Sequence, residues 1–154
     1  MIKSYAKINL SLNVLGRINS NLHKIETLVS FIDLNDEINI KKINKKNHRI
    51  YFYGKFAKGI PSKNTVSKLI NLMDKDNLLK GKKYLIKIKK NIPQKAGLGG
   101  GSMNAASLIR YFLSKKNLII NRNKLIKLSK KIGFDVNLGL KLNNAILLSN
   151  QNIL

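Results

Sequence analysis

The stretch QKAGLGGGSMNAASLIRYF, residues 94–112, puts four glycines into five positions and then passes directly into an amphipathic pattern. Without Cβ atoms, Gly97, Gly99, Gly100 and Gly101 let the backbone enter positive φ and approach a ligand closely. Successive N–H groups in such a turn form an anion-holding nest. A helix starting near Ser102 or Met103 adds free N–H groups and the positive end of its dipole, so phosphate is the natural guest. A Walker A loop would end in Gly-Lys-Ser/Thr, and GGGSMN has no such lysine. A dinucleotide fingerprint would place an acidic residue about 20 positions on, and none stands near residue 120. A mere hinge would need no helix at its exit.

Working outward, the segment KKYLIKIKKNIP (82–93) alternates as a strand and leads into the loop. Behind the loop, Ala105, Leu108, Ile109, Phe112 and Leu113 form one helical stripe. A further helix over 121–133 buries Leu125, Leu128 and Ile132 and ends at Gly133, expected as an αL cap. FDVNLGLKL (134–142) opens a short helix, and NAILLSN (144–150) reads as a last strand. Upstream, KSYAKINLSLNVLG (3–16) alternates, with Ile8, Leu10, Leu12 and Val14 on one face and Lys7, Asn9, Ser11 and Asn13 on the other. HKIETLVSFIDLND (23–36) is a second strand, with Asn35-Asp36 as its turn signal. EINIKKI (37–43) and RIYFYG (49–54) are expected to form a hairpin or meander. Val66, Leu69, Ile70 and Met73 then mark a helix capped near Asn64 or Thr65 and stopped by Gly81. Mixed strands and helices with antiparallel pairs early on give an α+β class.

The 154 residues suit one domain, and a hydrophobic content of 44% argues against disorder. No apolar run reaches the roughly 18 residues of a membrane span, and the N-terminus shows no signal-peptide pattern, so the cytoplasm is the expected compartment. With no cysteine, disulfides and thiolate metal sites are excluded. The formal charge of +23 would attract polyanions. Its lysines, however, are spread along the whole chain, and the aromatics, at 6%, form no evident stacking platform. A basic non-catalytic nucleic-acid-binding module is therefore an alternative, as is an inactive remnant, and neither is the leading expectation.

PQKAGLGGGSMNAA (93–106) resembles the phosphate loop of the GHMP kinases, which reads P-x-x-x-G-L-G-G-G-S-S-N-A-A in the branch that phosphorylates the 2-hydroxyl of a cytidine-diphosphate-linked methylerythritol for non-mevalonate isoprenoid synthesis. The likeness continues in order. YAKINLSLNVLGR (5–17) is similar to that branch's A-K-x-N-L strand, and LHKIETLVSFIDLNDEI (22–38) to its G-Y-H-x-[LI]-x-T-[LV] stretch followed by D-x-I. NTVSKLINLM (64–73) and IGFDVNLGL (132–140) are similar to its N-L-x-x-x-A and L-G-A-D-V-P-F segments.

The resemblance implies a ribosomal-protein-S5-domain-2-like fold, a mixed sheet with helices on one side, and ATP with Mg²⁺ as cofactors. Asp135 is then the catalytic base and Lys7 its cationic neighbour, stabilising developing negative charge. The nucleotide would be held by Pro93, Gln94, Lys95, Ala96, Gly97, Leu98, Gly99, Gly100, Gly101, Ser102, Met103 and Asn104, with Lys90 and Asn64 near the adenine nucleotide. Ser102 would be a weak metal contact, and Asn9, Leu22 and His23 would meet the small-molecule substrate, His23 at the cytosine. Leu22 stands where the branch has a stacking tyrosine, Met103 where it has a second serine, and Asn137 where it has proline. Members are roughly twice this length, so residues 1–154 are expected to be the N-terminal ATP-binding domain, with the C-terminal domain as a separate partner and lone activity reduced by an open cleft.

Overall fold

The computed structural model describes residues 1–19, 22–116, 118–133 and 135–148, without the side chains of 18, 19, 22, 23, 147 and 148. Two long strands, β1 (Ile2–Asn19) and β2 (Leu22–Ile43), pair antiparallel along most of their length. The other edge of β2 is shared: β4 (Lys83–Lys89) pairs with residues 37–43, and β5 (Ala145–Leu148) with residues 26–29. β3 (Arg49–Tyr53) lies outside β4 and parallel to it, which gives the order β1-β2-β4-β3.

The core follows from a two-residue period meeting a helical one. Ile38 and Ile40 stand opposite Ile88 and Ile86, and Ile50 and Phe52 continue the same rows on β3. Onto this face pack α1 (Thr65–Lys75), α2 (Gly100–Ser114), α3 (Arg122–Ile132) and α4 (Val136–Lys141). Helix α1 presents Val66, Leu69, Ile70 and Met73, and α2 buries Leu108, Ile109 and Phe112 completely. The opposite face carries Arg49, Tyr51, Tyr53 and Lys87 in solvent, so the helices form one layer on one side of a mixed sheet. Among the described residues no helix is long and apolar enough to cross a membrane.

The structure departs from the expected elements at five points. Asn35-Asp36 makes no turn: β2 runs through it, and the signal marks a bulge at Asp33 and Leu34, where pairing jumps from Tyr5↔Asn35 to Ala6↔Ile32. Residues 37–43 and 49–54 do not pair as a hairpin; β4 lies between them, because the long connection through α1 allows a parallel crossover. Helix α1 ends at Lys75, well before Gly81, as Asn77 takes a positive φ of 51°. Gly133 is extended, with φ 176°, and is no αL cap. The alternation of β1 breaks at a second bulge between Asn9 and Ser11. Asn9 pairs with Val29 and Leu12 with Thr27, two residues along the same strand, so Leu12 joins the face of Lys7 and Asn9.

Candidate active site

The glycine loop joins β4 to α2 and folds back over the start of β1. Lys95, Gly97 and Gly99 take positive φ of 57°, 73° and 67°, with intervening residues on the other side of φ space. That alternation points backbone N–H groups inward, and α2 then begins at Gly100, two residues before the expected start. No side chain caps this helix, so its first N–H groups stay free for an anion. The loop is docked by the bond from Lys7 N to Leu98 O, 3.0 Å, and from Thr65 Oγ1 to Gly101 O, 2.8 Å. Gln94 donates through Nε2 to Phe56 O and Lys58 O, each at 2.8 Å, fixing the loop's near side to the segment after β3.

Glycine is required here on two counts. A Cβ on Gly99 would stand 2.8 Å from Lys7 Cγ, in a backbone conformation already unfavourable for L residues. A Cβ on Gly101 would stand 2.9 Å from Thr65 Oγ1.

Lys7 and Asp135, far apart in sequence, meet beside this loop. Lys7 is buried; its Nζ donates to Asn9 Oδ1 at 2.8 Å and lies 3.7 Å from Asp135 Oδ2. Asp135 occupies the N-cap position of α4 but makes no side-chain cap bond, so its carboxylate is turned to Lys7 and not to the helix. What brings α4 so close is Gly139, whose Cβ would fall 2.6 Å from Ala106 Cβ and 2.9 Å from Met103 Sδ.

A cavity of about 400 Å³ opens over the loop, lined by its backbone from Pro93 to Ser102 and by Asn104, Lys90, Asn64, Phe52 and Ile60. The residues expected to hold nucleotide thus surround one space, with an exception. Met103 is buried, 1% exposed, between α2 and α4, because the fourth residue of α2 faces the core; its side chain lines no part of the cavity. Two cavity residues have their polar groups engaged elsewhere. Asn64 caps α1, accepting from Val66 N and Ser67 N and donating to Pro61 O. The ammonium of Lys90 is bonded to buried Asp36. Ser102 is half-buried in the first turn of α2, and among the described residues no three His, Cys, Asp or Glu side chains group as a metal site.

Asn9 is exposed beside Lys7. Leu22 and His23 begin β2, His23 opposite Arg17 at the far end of the hairpin, and their side chains lie outside the described residues. From Val29, the partner of Asn9, to His23 the strand runs roughly 20 Å. Two residues given no part in the site by the sequence, Thr65 as a candidate helix cap and Asp36 as a turn signal, stand out in the structure. Thr65 tethers the loop, and Asp36 lies fully buried beneath it. Asp36 was legible in principle, since it shares the two-residue period of the inward-facing Ile38 and Ile40.

The pattern for the "GHMP kinases N terminal domain" matches residues 64–143. A 4-diphosphocytidyl-2-C-methyl-D-erythritol kinase of Pelagibacter ubique (strain HTCC1062) is 57% identical over 152 residues, covering 99% of this chain and 54% of the relative. Among solved structures, a 4-(cytidine 5'-diphospho)-2C-methyl-D-erythritol kinase superposes with a TM-score of 0.77 at 24% identity, over 96% of this chain and 51% of the other. Streptococcus pneumoniae phosphomevalonate kinase, in complex with phosphomevalonate and AMPPNP, shares the fold with a TM-score of 0.63 at 17% identity, over 96% of this chain and 49% of its own. The chain spans about half the length of the relatives it matches. With the family pattern covering its loop, α2, α3 and α4, and a sheet of matching topology beneath them, this chain belongs to the GHMP kinases.

Proposed function

We propose that residues 1–154 form the ATP-binding, base-bearing domain of a kinase that phosphorylates the 2-hydroxyl of 4-diphosphocytidyl-2-C-methyl-D-erythritol. The observation that carries this reading is the 3.7 Å approach of Lys7 Nζ to Asp135 Oδ2 at the edge of a glycine nest that opens a helix. The acceptor is taken from the name of the relative that is 57% identical.

In this reading the loop amides from Ala96 to Ser102 hold the nucleotide's phosphates. Asp135 accepts the proton of the acceptor hydroxyl as its oxygen forms the new bond to the γ-phosphorus, and the bond to the β-phosphate oxygen breaks to release ADP. Lys7 offsets negative charge on the transferring group and, through Asn9, is held on the same face. Mg²⁺ would neutralise phosphate charge; Ser102 and the phosphates themselves fit as its holders, given no carboxylate cluster among the described residues. The far part of the hairpin, with His23 and Leu22, would reach the cytidine, Leu22 offering contact area without a ring face. A second domain would complete the acceptor pocket; Leu12 and Val14, 56% and 63% exposed on the face of Asn9, are an apolar strip suited to it.

Titration with MgATP at physiological salt tests the reading. Saturable binding is expected, and Gly99→Val should abolish it, since its side chain would occupy the space of Lys7. Binding only to an oligonucleotide, with a steep salt slope, would overturn it.

A further inference from the structure

We propose that Asp36 is a positioning residue that fastens both ends of the glycine loop to the sheet; this rests on the nucleotide-binding reading above. Asp36 is fully buried on β2. Its Oδ1 accepts from Asn91 N at 2.8 Å and Ile92 N at 2.9 Å, the last residues before the loop. Its Oδ2 accepts at 3.0 Å from Nδ2 of Asn104, the fifth residue of α2, and from Lys90 Nζ. The chain from Pro93 to Met103, the loop and the first turn of α2, therefore has its entry and exit bound to one side chain. Lys90 Nζ also lies 3.4 Å from where a Cβ on Gly100 would be, so the ion pair forms the floor under the start of α2.

The chemistry demands a carboxylate. Four donors converge on two oxygens, and an ionised carboxylate offers about four acceptor sites and no donor. An asparagine at 36 could still receive the two amides, but its NH₂ would then face Asn104 Nδ2 and Lys90 Nζ, donor against donor. The ammonium would be left buried without its counter-charge, close to the positive end of the α2 dipole. Loosening at either end moves the nest amides, because nothing longer than the loop itself separates them from this anchor.

Two amides report the loop's position without any ligand: Lys7 N, held by Leu98 O at 3.0 Å, and Met103 N, held by Gly99 O at 2.9 Å. Hydrogen exchange of these amides, followed by NMR, is compared in the unaltered chain and in Asp36→Asn, with the amides of α3 as the reference. Exchange at Lys7 and Met103 should rise about tenfold while α3 keeps its rates, and the Kd for a fluorescent MgATP analogue should rise by about the same factor. Unchanged exchange in a folded Asp36→Asn, or acceleration shared equally by α3, overturns the proposal. If that variant does not fold, Asn104→Ser decides, since it removes one of the four bonds and no charge. A rise of about threefold confined to the two reporter amides supports the anchor, and no rise refutes it. An unaltered chain that binds no nucleotide refutes the function proposed above, while the exchange comparison still decides whether Asp36 holds the loop.

Discussion

At the scale of single residues, the site depends on side chains that are ordinary in sequence and become specific by what they meet. Lys7 is one of 30 basic residues and Asp135 one of 7 acidic ones. Their motif contexts singled them out, and the fold sets them 3.7 Å apart. Under the function proposed above, with a second domain present, Asp135→Asn should lower phosphoryl transfer to cytidine-diphospho-methylerythritol by about 10²- to 10⁴-fold while leaving MgATP affinity within a few-fold. A coupled assay for ADP beside a binding titration checks both halves. An equal loss of binding and turnover would mean that Asp135 holds nucleotide and is not the base. Which of two expected roles engages a side chain was not legible from residue type. Asn64, expected both as a cap of α1 and near the nucleotide, has its side chain in the capping box of α1 with Ser67. Replacing it with alanine should cost about 1 kcal/mol of stability, read from a urea midpoint.

Among elements, the contact that sets the site is α2 against α4. Gly139 lets the two helices approach until Ala106 and Met103 would touch a Cβ placed there. Gly139→Val should therefore push α4 outward, costing about 1–3 kcal/mol and carrying Asp135 away from Lys7. Turnover is expected to fall with this variant although no reacting group has changed, and a chemical-shift map should place the disturbance at both α4 and the loop. Helices were well marked in the sequence because their apolar stripes and caps are local. Strand pairing was not: β3 lies beside β4 and not β2, a choice set by the α1 crossover and by which edge remained open. The bulges were hidden for the same reason, since a register shift exists only between two strands.

For the molecule as a whole, the ion pairs far from the site set its acid tolerance. Asp74 receives Lys83 Nζ at 2.6 Å and His48 Nε2 at 3.1 Å, while His48 Nδ1 accepts from Tyr84 N, tying α1 to β4 and the loop before β3. Burial pushes the Asp74 carboxyl up, but the bonds to Lys83 and His48 outweigh it and hold it below the ordinary carboxylate value. A depressed folded pKa contributes stability that is present above the unfolded value and is lost as pH falls through the folded one. Asp74→Asn should thus lower the urea midpoint near neutral pH, and the difference should shrink as pH falls through and below the ordinary carboxylate range. A constant difference across that range would show that the carboxylate's charge is not what stabilises.

The amino-acid sequence by itself determined the α+β class, the position of the glycine loop ahead of a helix, and, through the family resemblance, the pair Lys7 and Asp135 that the fold brings together. These rest on local facts: missing Cβ atoms, apolar periods and motif spacing. Only the tertiary structure decided that Asp36 lies beneath the loop, that Met103 faces the core, and that Leu12 shares a face with Asn9. Each depends on strand register or helix approach, and those are fixed by which surfaces exclude water together when the whole sheet and its helices assemble.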